Sequence, residues 1–481
     1  MIEPYPFSGL PVAVFGLGRS GLSAARALAA AGAEVWAWDD DEGQRDKAAQ
    51  AGASLVDLYT CDWGELTTLV LSPGVPLTHP KPHPVVELAR GAGCEVIGDV
   101  ELLARTMLDA RYIGVTGTNG KSTTTALVGH ILSLAGKEVE IGGNLGTPVL
   151  DLHPLGGSGA YAIEMSSYQL DLTFSITFDV AALLNVTPDH LERHGGFDNY
   201  IAVKKKIFRR QTDPRAAVVC VDDETCRGIF EELRAQGDQR LIPVAVERRV
   251  KGGVYVIDGV LYDDTDGHGA RVIELKAIAA LPGAHNWQNA AAAFAVARAE
   301  QVPAPVAAAC LRSFPGLAHR MEQVAVIDGV RFVNDSKATN AAAAAKALAW
   351  YEDIFWIAGG RSKEGGITPL EPCFPRLAHA FLIGEAAEAF AHTLTDQVPY
   401  TLCGDLATAL AAAAAKAKAA KEDGRRAPVV LLSPACASFD QFTDFEARGD
   451  AFRALVEGLP GERAEDDDEI AGGAASAGGA R

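Results

Sequence analysis

The chain has few of the features that would tie it to a membrane, to an oxidising compartment or to nucleic acid. No run of about 18 or more apolar residues occurs, so no segment reads as a membrane-spanning helix. The opening "MIEPYPFSGL" has neither a basic stretch nor an apolar one, and a cytoplasmic location is expected. Its eight cysteines are scattered without a C-x-x-C pair, which argues against a zinc site and a disulfide framework and for reduced thiols. Positive charge is short: 43 Lys and Arg stand against 62 Asp and Glu, a net charge of −19. A general nucleic-acid surface is therefore excluded, because phosphate contacts need concentrated positive charge, whereas a local cation cluster still suffices for a small anion.

What is present is a long alternation of short apolar runs with helix-length segments, the pattern of parallel sheets covered by helices. At 481 residues the chain exceeds what one core usually holds. The runs group as "VAVFG", "EVWAW" and "TLVLS"; then "RYIGVTG", "YAIEMS", "DVAALLNVT" and "AAVVCV"; then "RFVNDS", "DIFWIAGG", "HAFLIG" and "PVVLLSPA". Three successive α/β units follow, with boundaries expected near 105–110 and 315–318. "KGGVYVIDGVLYDDTDGHGARVIEL" alternates between Gly/Asp turns and reads as a small β-meander at the edge of the middle unit. Ala-rich runs such as "NAAAAAKALAW" predict ordinary helices. Residues 461–481, with six acids against two bases, hold too little apolar content to order and are expected to be a disordered tail.

Two glycine-rich turns invite phosphate. In "VFGLGRSGLSAARALAAAGAEVWAWDDD", Gly16, Gly18 and Gly21 have the G-x-G-x-x-G spacing of a dinucleotide fingerprint, with Asp39 ending the next apolar run. In "YIGVTGTNGKSTTTALVGHIL" an apolar strand runs into Gly117, Thr118, Asn119, Gly120, Lys121, Ser122 and Thr123, and a helix follows. There the backbone N–H groups and helix N-terminus cradle phosphate oxygens, Lys121 reaches the β/γ-phosphates, and a hydroxyl meets Mg²⁺. Gly114 lies one position further from Gly120 than the common motif has it.

Other polar groups stand at strand ends, where open α/β sheets present ligands. Glu164 and Ser166 follow "YAIEM"; the carboxylate is placed to hold Mg²⁺ directly or through water. "DVAALLNVTPDHLERHG" ends in Asp189 and His190, which need partners or solvent, and metal or phosphate contact is the preferred reading. In "FDNYIAVKKKIFRRQ", Lys204, Lys205 and Lys206 point about 100° apart around a helix, so they cannot all face one site. "LPGAHNWQNAAAAF" sets His285, Asn286 and Asn289 at a helix start, for capping by Asn286 or for adenine recognition. Arg320, Lys337 and Lys363 are three cations near ends of the third unit's strands.

Together "TGTNGKST", "NVTPDHLERH", "LPGAHNWQN", "AHRME" and "NDSKATN" resemble the Mur ligases, ATP-dependent amino-acid ligases, in the family's order over roughly residues 8–460. "GLGRSGLS", "LSPGVP", "GGRSKEGG" and "LLSPACASFDQFTDFEARG" are most similar to the branch that adds D-glutamate. The resemblance implies an α/β protein of three domains: a Rossmann-like UDP-sugar domain (1–107), a central P-loop ATPase (108–316) and a C-terminal Rossmann-like amino-acid domain (317–460). It also implies ATP and Mg²⁺, UDP-N-acetylmuramoyl-L-alanine and D-glutamate as substrates, no nucleic-acid or membrane partner, and a monomer.

By motif, the resemblance implies that Ser122, Glu164, His190 and a carbamylated Lys204, in a Tyr-x-x-x-Lys context from Tyr200, serve Mg²⁺, while Asn144 and Ser166 line the reaction centre. It gives adenosine and phosphate to Asn286, Asn289, Arg320 and Asp335, and D-glutamate to Lys337, Thr339, Lys363, Ser438, Phe439 and Phe445. Gly18, Arg19 and Ser20, with Ser72, Pro73 and Gly74, would meet the UDP-sugar diphosphate, and Asp39 the uridine. Two alternatives compete. An NAD-dependent oxidoreductase explains the first fingerprint alone, and another ligase of the superfamily would add a different amino acid.

Overall fold

The computed structural model describes residues 1–144, 146–278, 280–362, 365–425 and 427–464. Each apolar run named above is a strand, and the strands form three sheets. The first sheet has four parallel strands in the order Glu34–Trp38, Pro11–Phe15, Thr68–Leu71, Glu95–Ile97. The second has nine. Its parallel part runs Arg240–Val246, Ala216–Cys220, Val180–Leu183, Arg111–Thr116, Ala160–Glu164, Val139–Gly143. Val254–Ile257 adds in parallel beside Arg240–Val246, and Val260–Asp263 and Ala270–Glu274 continue antiparallel as the expected meander. The third sheet has six strands, parallel except for the edge strand Glu322–Ile327.

The chain forms two compact units, one of Met1–Lys276 with Ala284–Phe314, the other of Ala277–Gly283 with Pro315–Arg481. The first two sheets thus share the first unit. Among the described residues no helix is long and apolar enough to cross a membrane, and all eight cysteines are unpaired.

Strands buried on both faces explain the near-continuous apolar runs. Val180–Leu183 and Ala216–Cys220 are buried at every position. Where a helix must cross such a strand closely, a side chain has to be missing. A Cβ on Gly21, in the helix Arg19–Ala30, would lie 1.7 Å from the Gly16 carbonyl oxygen, so the third fingerprint glycine is a packing requirement of the strand-to-helix turn. Gly114 has a different job from a phosphate-loop glycine. It sits within Arg111–Thr116, and a Cβ there would meet the Phe178 ring at 2.7 Å. Its extra distance from Gly120 is accounted for, because the loop itself starts at Gly117.

Candidate active site

The strand Arg111–Thr116 hands the chain to the helix Lys121–Leu134 through Gly117, Thr118, Asn119 and Gly120. The loop is tied to the end of the neighbouring strand: Thr118 N–H donates to the Asn185 carbonyl (2.9 Å) and Asn119 N–H to Asn185 Oδ1 (2.8 Å). Those two amides are spent on the protein. The first helical turn, where N–H groups have no intrahelical acceptor, carries Ser122 and Thr123, both buried. Lys121 Nζ donates to the carbonyls of Gly117 (3.1 Å) and Thr118 (2.9 Å), which holds its charge against the loop.

Of the three consecutive lysines, Lys204 alone is buried, at 1% exposure. Lys205 pairs with Glu232 and Lys206 with Asp171, both at partly exposed positions. Lys204 Nζ donates to the Gly117 carbonyl (2.8 Å) and to Thr116 Oγ1 (3.4 Å), and lies 4.8 Å from the centre of the Tyr200 ring. Burial, with the nearby charge of Lys121, pushes its amine down to about 7, against the opposing pull of Asp189 and Glu164. Tyr200 is fixed in turn by Thr118 Oγ1, 3.1 Å from its hydroxyl.

Glu164 ends the strand Ala160–Glu164 and is 1% exposed. Asn144 Nδ2 donates to its Oε1 at 2.7 Å, while Oε2 is buried without a hydrogen bond. A buried carboxylate oxygen left unpaired is costly, and a cation is the group that would satisfy it. Among the described residues no three His, Cys, Asp or Glu side chains cluster as a ready cage. His190 caps the short helix Leu191–His194 in a left-handed conformation (φ 52°), half exposed, with Nε2 3.5 Å from Asp189.

Beside this centre lies a cavity of about 300 Å³ lined from both sheets: Arg19, Ser20, Ser72, Pro73 and Gly74 from the first, and Asn144, Ser166, Tyr168 and Gln169 among those from the second. Residues expected to meet diphosphate and residues expected at the reaction centre thus line one cavity. Ser166 caps the helix Ser167–Asp171 and exchanges hydrogen bonds with Gln169. Gly18 is the exposed N-cap of the helix Arg19–Ala30. Asp39 is engaged by the protein: its carboxylate accepts from the amides of Leu17 and Asp41 and so braces the glycine turn.

Capping by Asn286 is not what occurs. Gly283 turns the chain (φ 84°) and the helix Ala284–Ala299 begins two residues before Asn286. Asn286 is buried within the first turn, where its Oδ1 accepts from Asn289 Nδ2 at 3.2 Å. Asn289 in turn faces the loop, since its Oδ1 lies 2.2 Å from where a Cβ on Gly120 would be.

In the second unit, Asp335 follows the strand Val330–Asn334 and is buried; it accepts from Ser433 Oγ (2.8 Å) and Met321 N–H (3.1 Å). Burial pushes its carboxyl up to about 7, opposed by those hydrogen bonds and by Arg320. Lys337 Nζ lies 4.8 Å from the centre of the Phe445 ring, and Thr339 N–H donates to the Lys337 carbonyl. Ser438 is buried and Phe439 is 63% exposed. Lys363 lies outside the described residues. Arg448, passed over in the sequence, is 1% exposed and joins two of these loops, donating to Ser336 Oγ and to the carbonyls of Ser336 and Cys436.

Tyr168, Asn185, Arg193 and His194 were also missed in the sequence. His194 is buried, its Nε2 2.9 Å from Ser167 Oγ; a second histidine so soon after His190 was the available signal.

The family model for the Mur ligase middle domain matches residues 115–297, and that for the Mur ligase, glutamate ligase domain, matches residues 319–436. UDP-N-acetylmuramoylalanine--D-glutamate ligase of Caulobacter sp. (strain K31) is 53% identical over 465 residues, 95% of this chain and 98% of that one. The protein of the same name from Rhodospirillum rubrum is 51% identical over 469 residues, 96% and 98% of the two chains. In fold, the UDP-N-acetylmuramate-alanine ligase of Thermotoga maritima is similar with a TM-score of 0.58 at 16% identity, covering 93% of this chain and 99% of that one. With over half its residues shared along nearly its whole length, this chain belongs to the Mur ligase family.

Proposed function

We propose that the chain joins D-glutamate to UDP-N-acetylmuramoyl-L-alanine, with ATP cleaved to ADP and phosphate, in peptidoglycan precursor synthesis in the cytoplasm. The observation that carries this reading is the juxtaposition of the phosphate loop, the buried Glu164 and Lys204 and the adjoining two-sheet cavity. The name shared by its relatives supports the choice of substrates.

The alanyl carboxylate attacks the γ-phosphorus of ATP and ADP leaves, giving an acyl phosphate. The amine of D-glutamate then attacks the acyl carbon, loses a proton, and phosphate departs. Neither step needs a protein nucleophile; both need positioning and neutralised charge. Lys121, with the helix start at Ser122 and Thr123, holds the β/γ-phosphates. Mg²⁺ would be held by Glu164 and Ser122, with His190 and Lys204, and neutralises phosphate charge when bound. A free ammonium at Lys204 would repel that ion, whereas a carbamate formed on the amine would attract it. An amine held near neutral by burial has the unprotonated form that attacks carbon dioxide.

Gly18, Arg19, Ser20, Ser72, Pro73 and Gly74 take the diphosphate sugar in this reading, with Asp39 bracing the turn near the uridine. Asn144 and Ser166 line the acyl centre. Asn286, Asn289, Arg320 and Asp335 serve ATP, and Lys337, Thr339, Lys363, Ser438, Phe439 and Phe445 serve D-glutamate. The division of labour follows three functional domains, 1–107, 108–316 and 317–460, acting as a monomer. A ligation assay with each substrate omitted in turn tests the proposal.

A further inference from the structure

Arg193 lies three residues after His190 and is half-buried. Its Nη1 donates to the Gly74 carbonyl (3.0 Å), and Nη2 donates to the carbonyls of Pro73 (3.3 Å) and Val75 (2.9 Å). Three consecutive carbonyls of one loop therefore converge on one guanidinium. The Cζ of that guanidinium lies over the Tyr168 ring, 4.7 Å from its centre. Pro73, Gly74 and Tyr168 all line the two-sheet cavity.

A second contact joins the same segments. Gly195 has φ 69°, and a Cβ there would lie 2.5 Å from His79 Nε2, further along the same loop. The loop after Thr68–Leu71 is thus seated on the Arg193–Gly195 segment at two places.

We propose that Arg193 is a positioning residue for the nucleotide-sugar acceptor, clamping the Pro73–Val75 wall and Tyr168 so that the cavity has a fixed width. The inference rests on the reading that this cavity takes the UDP-sugar. A flat fork with several donors is what three carbonyls and a ring face require together, and a lysine ammonium has neither the fork nor the stacking plane. Arg193 lies in the short helix Leu191–His194, whose N-cap is His190, so the clamp adjoins the segment that carries Asp189 and His190.

The test uses the full chain with Arg193→Met, Arg193→Lys and, independently, Gly195→Ala. KM is measured for acceptor, D-glutamate and ATP, and acceptor binding is measured by calorimetry without ATP. The clamp predicts that acceptor KM and Kd rise roughly tenfold or more in Arg193→Met, less in Arg193→Lys, while ATP KM moves by no more than about twofold. Gly195→Ala is expected to weaken acceptor binding in the same selective way. An unchanged acceptor Kd in Arg193→Met with a wild-type melting temperature, or an equal loss for ATP, overturns the inference; if that variant does not fold, an unchanged Kd in Gly195→Ala does so. A wild type that binds no UDP-sugar refutes the functional reading itself, whereas an active wild type with an indifferent Arg193 refutes only the clamp.

Discussion

Lys204 places its Nζ 2.8 Å from the carbonyl oxygen of Gly117, so a buried amine and the phosphate loop are held by one hydrogen bond. Lys205 and Lys206 turn to carboxylates outside that site. Lys204→Ala is therefore expected to lose activity by more than about a hundredfold and to recover part of it with added formate or acetate, short carboxylates standing in for a carbamate. Lys205→Ala and Lys206→Ala should stay near wild type in the same phosphate-release assay. An unimpaired Lys204→Ala removes the carbamate from the account.

Gly120 combines a left-handed backbone (φ 84°) with the approach of Asn289 Oδ1 to 2.2 Å from a would-be Cβ. Gly120→Ala should cost about 1–3 kcal/mol at this strained position. Calorimetric titration with an ATP analogue is expected to show weaker binding than wild type, since loop and Asn289 must both move. Equal affinity would mean that the loop relaxes freely.

Asn144 supplies the hydrogen bond to Glu164 Oε1 at 2.7 Å. Asn144→Leu leaves that carboxylate without its orienting donor, and kcat should fall on the order of 10–100-fold with a raised Mg²⁺ requirement, the usual cost of losing a ligand's support. A Mg²⁺ titration of the rate checks it; a variant with wild-type kcat and Mg²⁺ dependence contradicts the role.

Much of this was legible in the sequence, and the gaps have physical causes. Strands buried on both faces, such as Ala216–Cys220, announce themselves as apolar runs. Glu95–Ile97, Val139–Gly143 and Tyr400–Gly404 are short, half-exposed or end in glycine, and none makes such a run. Glu164 stood out as a carboxylate at a strand end, whereas spacing left Lys204, Lys205 and Lys206 undecided and only the resemblance to the family singled out Lys204. Arg193 did not stand out, because one arginine after a histidine looks the same whether it clamps three carbonyls or faces water. For Asn286 the spacing left capping and adenine recognition open, because its residue type fits both, and only the turn at Gly283 shows that the helix starts earlier and removes the cap.

Asp335 gives a pH signature. Burial holds its folded carboxyl at about 7, above its unfolded value. Below about pH 4 both states hold the proton; between about 4 and 7 the unfolded chain releases it and the folded chain retains it, so stability falls as pH rises, and above about 7 the full burial cost is present. Asp335→Asn should therefore melt higher than wild type at pH 8, and the difference should vanish towards pH 4, while ligation by the variant is impaired. A difference independent of pH would contradict the assignment.

The central claim is tested most directly by phosphate release from the wild-type chain with ATP, UDP-N-acetylmuramoyl-L-alanine and D-glutamate, each omitted in turn and D-glutamate replaced by L-glutamate, L-alanine or diaminopimelate. The account predicts stoichiometric phosphate and amide product only with all three present, a strong preference for D-glutamate, and no effect of NAD. Sustained turnover with another of these amino acids in place of D-glutamate, or none with the complete set, would contradict it.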